Sequence, residues 1–341
     1  MSETKTTETP KKKEYTTMLV NASDTYLGMI ERQMEGHNIR MEEYGKTCVI
    51  NAVSAINDLL VTNGISFNSP ELDTSTLTTA LITVATLQLN AKATNREIYF
   101  QLRNKKVKEN GADVWKKQLE WGIEGDGWDA LISRFGRNIK RVYPYWLVRS
   151  GDKYIAPRHR GLEMTPPEWE ETGEGEVVRV VYPVVFNDGT IHFYTSEKND
   201  VLKNLYAHIK NNLMNETFGL CKKRTEATAE EQKEIEARKK VILDKAKALG
   251  WSALDDEEIT PFISPSWTDY HSRESMIIRK MRNRICKAIP KDFGSAYADE
   301  VYNRASDEGY AEAIEKLEAP TAEPKYLNEA TGEVTEGKPN F

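Results

Sequence analysis

Lys280, Arg284 and Lys287 recur at helical spacing within residues 265–290, PSWTDYHSRESMIIRKMRNRICKAIP, and the chemistry open to such a set is the binding of anions. On a helical wheel Ile277, Ile278, Met281, Ile285, Ala288 and Ile289 share one face, those three cations gather along one flank, and Arg279 lies opposite. No acidic residue falls between Ser275 and Lys291, so no intrahelical ion pair compensates the positive potential. The apolar side calls for a core and the cationic flank suits a phosphate backbone. The plain alternative is a surface helix with a solvated charged face.

Other chemistry-bearing residues are sparse. Cys48, Cys221 and Cys286 form no CxxC, and the five histidines do not pair with them at metal-ligand spacing, which argues against structural zinc and against disulfides. The chain has no GxxxxGK[ST] loop, no HExxH and no Ser or Cys nucleophile motif. Glu124, Asp126 and Asp129 sit in EGDGWDALISRFG, where carboxylates spaced by glycine at a helix start read as capping and turn residues rather than metal ligands. No catalytic residue, metal site or cofactor is therefore expected.

The 341 residues, 39% apolar and 29% charged, have a soluble globular balance with polar extensions, enough for one good core or two modest ones. No apolar run approaches ~20 residues, and MSETKTTETPKKKEY is not a charged stub before an apolar core. Neither a membrane span nor a secretory signal is read, and a cytoplasmic location is expected. The net charge of -6 is a poor guide because the charge segregates: residues 265–290 are basic, residues 296–341 rich in Glu and Asp.

Residues 1–22 have too few apolar groups to repay ordering and read as a mobile arm. Helices are expected over 24–35, over 43–60 with a stop at Asn63-Gly64, and over 74–89, where Leu77, Ala80, Leu81, Val84 and Ala85 share a face. Residues 99–108 read as a strand trailing into basic RNKKVK, a second candidate phosphate contact, and 124–136 as a Gly-rich turn opening an amphipathic helix. Period two then predicts consecutive antiparallel strands over 141–148, 153–156, 177–186 and 191–195, with short turns at 150–152 and 187–190 and an excursion over 159–175. Tyr143, Tyr145, Trp146 and Tyr154 read as sheet packing. Residues 201–214 are expected helical, 222–249 an exposed charged helix braced by ion pairs, 296–317 one more helix, and the chain loose from 320.

Three ordered blocks between residues 74 and 293 resemble the RecT/Redβ family of phage single-strand annealing proteins. Trp267, Met276, Arg279-Lys280, Arg284, Lys287 and Pro290 resemble the family's W…MxxKTxxRxxxK..P block; ALITVATLQLN followed by REIY is similar to its helix, Gly-Leu-Asn-Pro turn and Lys-Glu-Ile-Tyr strand; and the run from Gly127 to Gly136 is similar to its G-(L/M)-I-D-L-A-R-R-S-G segment. The chain departs from the pattern at Lys280, where the family commonly carries Thr, at Asn283, and at Leu89-Asn90-Ala91, which lacks the turn's Gly and Pro. The resemblance implies an α+β fold, a small antiparallel sheet of meander and hairpins flanked by helices, oligomerising into rings or helical filaments. It implies ATP-independent binding of single-stranded DNA and annealing of complementary strands in phage-type recombination, without enzymatic chemistry, in a bacterial host's cytoplasm.

On that reading residues 1–22 are a disordered arm and 23–295 the annealing core, with a helical part 23–90, a sheet 97–196, a charged helical insertion 222–250 and the basic helix 272–290. Residues 296–341 are an acidic tail. The DNA path is expected along Arg96, Arg103, Lys105, Arg279, Lys280, Arg284 and Lys287, with Arg134 and Arg137 beside them, because these cations fall in the family-like blocks and lack local acidic partners. Expected partners are single-stranded DNA, the annealed duplex and further copies of the chain, and the resemblance adds a companion exonuclease and the host single-strand binding protein. Two other classes are a metal-dependent nuclease using the carboxylates at 124–129 and a sequence-specific regulator laying the basic helix in a major groove. The regulator is weakened by the lack of a second helix at helix-turn-helix spacing.

Overall fold

Fourteen residues that are apolar or Ser/Thr on every side make a helix that only a core can hold, and the molecule is built around that helix. The computed structural model describes residues 18–109, 112–306, 325–327 and 334–336. Helices α1 (Met18–Gly36) and α2 (Glu43–Thr62) pack on each other and on α3 (Thr74–Leu87), which is buried from Ala80 through Leu87. Asp73 caps α3 by accepting from the Ser75 amide at 3.1 Å, and Gln88 ends it in the left-handed region at φ 52. Of the mobile arm expected over 1–22, residues 18–22 are the first turns of α1, and residues 1–17 lie outside the described residues.

Strands β1 (Ile98–Glu109) and β2 (Ala112–Ile123) form a separate two-stranded hairpin, paired residue by residue from Ile98 opposite Ile123 to Glu109 opposite Ala112. Its base is tied to the helices where the Leu119 amide donates to Thr76 Oγ1 at 3.0 Å. Gly122 faces the Tyr99 ring so closely that a Cβ would stand 2.5 Å from its hydroxyl. Helix α4 (Gly125–Phe135) follows at once; its first turn presses on the Glu97 carbonyl, where a Cβ on Gly127 would sit 2.0 Å from that oxygen.

The single meander expected over 141–195 is replaced by a four-stranded sheet and a small side excursion. β3 (Ile139–Val142) and β4 (Trp146–Arg149) lie end to end along one edge of a long strand made of Val, Tyr, Pro and Phe with one Arg, and they are parted at Pro144, which cannot donate to a ladder. The chain then leaves the sheet: β5 (Lys153–Ile155), β6 (His159–Arg160), β7 (Glu163–Met164) and β8 (Glu168–Glu170) pair only among themselves, β5 with β8 and β6 with β7. The 150–152 turn therefore joins no hairpin. It is held by Asp152, whose oxygens accept from the Arg149 and Thr172 amides and from Trp169 Nε1, bonds that hold its carboxyl well below the usual range. The long strand is β9 (Val177–Phe186), and the 187–190 turn does make its hairpin with β10 (Ile191–Glu197).

Helix α5 (Leu202–Leu213) packs on α6 (Ala229–Leu249), which begins in a capping box between Thr228 and Glu231. α6 is not wholly exposed: Ile235, Lys239 and Ala246 are buried. A short α7 (Pro265–Thr268) leads into α8 (Tyr270–Ala288), capped by Asp269 at one end. At the other, Lys291 Nζ reaches the Cys286 carbonyl at 2.5 Å and the Ile289 carbonyl at 2.9 Å; burial pulls its pKa down to about 8. Helix α9 (Ala296–Ala305), past the boundary expected at 295, buries Ala298, Val301 and Ala305; Tyr302 meets Trp128 edge-on and Phe293 at a tilt, and Tyr297 stacks on His37 at 3.8 Å. The rest of the helix expected to 317 lies outside the described residues. Where loose chain was expected, β11 (Lys325–Leu327) pairs antiparallel with β12 (Val334–Glu336). The fold is α+β with small antiparallel sheets, and among the described residues no helix is long and apolar enough to cross a membrane.

Candidate nucleic-acid interface

α8 buries Ile277, Met281, Ile285 and Cys286 against α4 and the four-stranded sheet, and the same inward side carries Arg282. Its side chain is 12% exposed. Nη2 donates to Asp126 Oδ1 at 2.9 Å and to Asp129 Oδ2 at 2.5 Å, Nε donates to the Tyr182 hydroxyl at 3.0 Å, and the guanidinium lies 4.4 Å from the Tyr145 ring centroid. Tyr182 donates its own proton to Asp129 Oδ1 at 2.7 Å, and the Cys286 thiol donates to the same oxygen at 3.3 Å. Burial, with the nearby thiol and carboxylate, pushes the Tyr182 pKa far up, and burial and Asp129 do the same to Cys286. Asp126, in the first turn of α4, and Asp129 are thus the counter-charge of one buried arginine that welds α4, β9 and α8.

Arg134 is likewise structural. It grips Glu97 with both terminal nitrogens at 2.7 and 2.9 Å, donates to the Gln88 carbonyl and the Tyr44 hydroxyl, and so locks α4 to the C-terminal cap of α3. Glu97 also accepts from the Asn90 amide at 2.7 Å, completing the turn that lacks the family's Gly and Pro. Arg137 reaches the Lys291 carbonyl at 3.3 Å, beside the Gly136–Lys291 bridge.

Four of the remaining cations, read from the sequence as lacking local acidic partners, find acidic partners at long range. Arg96 pairs with Glu124 at 2.7 Å, Arg103 with Glu120 at 2.7 Å, Arg279 with Glu124 at 3.3 Å and Arg284 with Asp200 at 3.8 Å. The Arg103–Glu120 and Arg284–Asp200 pairs are exposed and worth about 0–1 kcal/mol, so a phosphate can displace them at little cost, whereas Glu124 is 17% exposed. Glu124 does bring two of the expected residues together, Arg96 at the foot of the hairpin and Arg279 on α8. Lys280 lies beside α5, where it and, first, burial lower the His208 pKa. Lys287 Nζ stands 5.1 Å from the Trp128 ring centroid, within cation–π range.

The hairpin carries the most accessible positive surface. On one face Arg103 and Lys105 lie opposite Gln118 and Lys116; on the other Lys106, Lys108 and Lys117 flank Trp115, which is 64% exposed. Lys106 also meets Asp113 at 2.6 Å, an exposed pair of the displaceable kind. Lys105 stands directly opposite Lys116, whose Nζ turns aside to donate to the Pro70 carbonyl at 2.8 Å. Lys105 has no ion pair among the described residues. The second strand was missed by sequence reasoning, although Asn110-Gly111 between two alternating runs is a strong hairpin signal. Arg282 was missed too: it sits four residues after Ile278 and three before Ile285, a cation inside the apolar stripe.

Compared with family models, with curated proteins and with solved structures, the chain matches none. Its chemistry rests on the residues just described.

Proposed function

We propose that this protein binds single-stranded DNA along the β1–β2 hairpin and the adjoining flank of α8, and anneals complementary strands without a nucleotide cofactor, as the resemblance to the RecT/Redβ family implies. The observation that carries the reading is the hairpin, where Lys106, Lys108 and Lys117 flank an exposed Trp115 on one face and Arg103 and Lys105 are exposed on the other. Cations that neutralise phosphates and an aromatic face that stacks on any base are what sequence-tolerant strand binding needs. Lys280, Arg284 and Lys287 extend that surface on α8. Annealing requires no covalent step: neutralised phosphates no longer repel, an array of copies holds one strand extended, and base pairing supplies the free energy. Against the nuclease alternative, Asp126 and Asp129 pair with Arg282 and Glu124 with Arg96 and Arg279; against the regulator alternative, the inward half of α8 is packed in the core.

The test mixes two complementary oligonucleotides with the full chain, without ATP and with chelator present. Annealing faster than the protein-free rate is expected; a rate equal to that background overturns the reading.

A further inference from the structure

The charged helices α5 and α6 enclose a cleft of about 660 Å³ that the hairpin and α8 do not reach. Its floor is apolar, made by Leu213, Met214 and Leu243, and its walls carry Lys210, Arg224, Lys239, Lys240 and Lys247, five cations against the two acids Glu236 and Asp244. Lys239 is only 6% exposed, an unusual place for an ammonium. Its Nζ donates to the Met214 carbonyl at 3.0 Å and to Glu236 Oε1 at 3.2 Å, and Arg224 donates to those same two oxygens at 3.1 and 3.2 Å. One carboxylate therefore answers two cations, one buried and one half exposed, and both face the open cleft beside Lys240. Lys247 stands 3.8 Å from Asp244, and Lys240 on the rim has no ion pair among the described residues.

We propose that this cleft binds a nucleoside phosphate, its base on the Leu213–Met214–Leu243 floor and its phosphates on Lys239, Lys240 and Arg224, whether as a free nucleotide or as one unit of a strand. The volume lies within the range of small-ligand sites, and an apolar floor ringed by a few charged groups is their usual make-up. The proposal does not rest on annealing and stands or falls separately from it.

The experiment is calorimetric titration of the full chain, with chelator, against ATP, inorganic tripolyphosphate and an oligo-dT strand of about 20 nucleotides. The strand is titrated into a background of Lys105→Gln, Lys106→Gln and Lys117→Gln, so that the hairpin does not mask the cleft. Lys240→Glu with Lys247→Glu reverses two exposed rim charges without touching the core, and an unchanged melting temperature verifies the fold. ATP or the strand should bind, and the double reversal should weaken that binding at least fivefold; ATP binding identifies a free nucleotide, strand binding alone a unit of DNA. Failure of both to bind, or a loss below fivefold, overturns the site, and tripolyphosphate binding as tightly as ATP overturns the role given to the apolar floor.

Discussion

α8 and the β1–β2 hairpin carry comparable sets of cations and dispose of them in opposite ways. On α8 the apolar stripe turns inward and takes Arg282 with it, so that its guanidinium meets two carboxylates and a tyrosine hydroxyl, while Arg279 and Arg284 on the flank find Glu124 and Asp200. On the hairpin Arg103, Lys105, Lys106 and Lys108 are exposed, while half-buried Lys116 and Lys117 bond to Pro70, Glu71 and Asp73, and Lys105 faces Lys116 across the ladder. A helix with one buried side can recruit counter-charges from elements packed on it, whereas the outer half of a two-stranded ribbon has little beyond its own partner strand to offer. Similar cations are structural in one place and available to a ligand in the other.

The sharpest way to break that contrast is at Arg282. Arg282→Met should cost about 3–5 kcal/mol, because it leaves Asp126 and Asp129 without their partner inside the α4–α8 interface. Denaturant unfolding measures it, and a loss under about 1 kcal/mol would mean the network is solvated like a surface pair. Val301→Asp, which places a carboxylate where α9 is 7% exposed, should cost about 1–3 kcal/mol. A neutral outcome there would return α9 to the tail.

The hairpin should behave in the reverse manner. Lys105→Gln, Lys106→Gln and Lys117→Gln together should leave stability within about 0.5 kcal/mol per site, and should lower the slope of log affinity against log salt by ~0.7 for each phosphate of a single strand that is no longer neutralised. An unchanged slope would take the hairpin off the DNA path and return the weight to Lys280, Arg284 and Lys287.

The smallest effect sharpens the α8 side. His208 Nε2 accepts from the Ser264 amide at 3.0 Å, and its pKa is lowered from 6.5 by burial and by Lys280. The unfolded chain then takes up its proton before the folded one does. Stability from this site is complete above 6.5 and is lost as the pH falls from there through the lower folded value. Urea midpoints at about pH 7.5 and pH 5.5 should separate the native chain, which weakens on acidification, from His208→Asn, which weakens less; equal declines would show that His208 is not the sensor.

Local signals were legible in the sequence. Asn63 marks a helix end because its reason is local, the 187–190 turn closes its hairpin, and the apolar stripe of α8 faces inward. The strand pairing of β5 was not legible, because its partner β8 is chosen by the return of the excursion and by Asp152, features with no period of their own. Nor were the ion pairs. An absence of acids near a cation in sequence says nothing of Glu124, which closes on Arg279 only when α4 and α8 have docked.

The contact between Arg282 and Asp129 spans 153 residues of chain, and that span has a meaning in time. At about 5–20 residues per second, α4 leaves the ribosome roughly 8–30 s before its arginine does. Throughout that interval two aspartates and the Trp128 face of α4 have no lid, so the N-terminal helices and the hairpin can form on their own while α4 waits. The order of synthesis makes α8 the element that commits the rest, and a chain released before it is a substrate for chaperones rather than a smaller version of the protein.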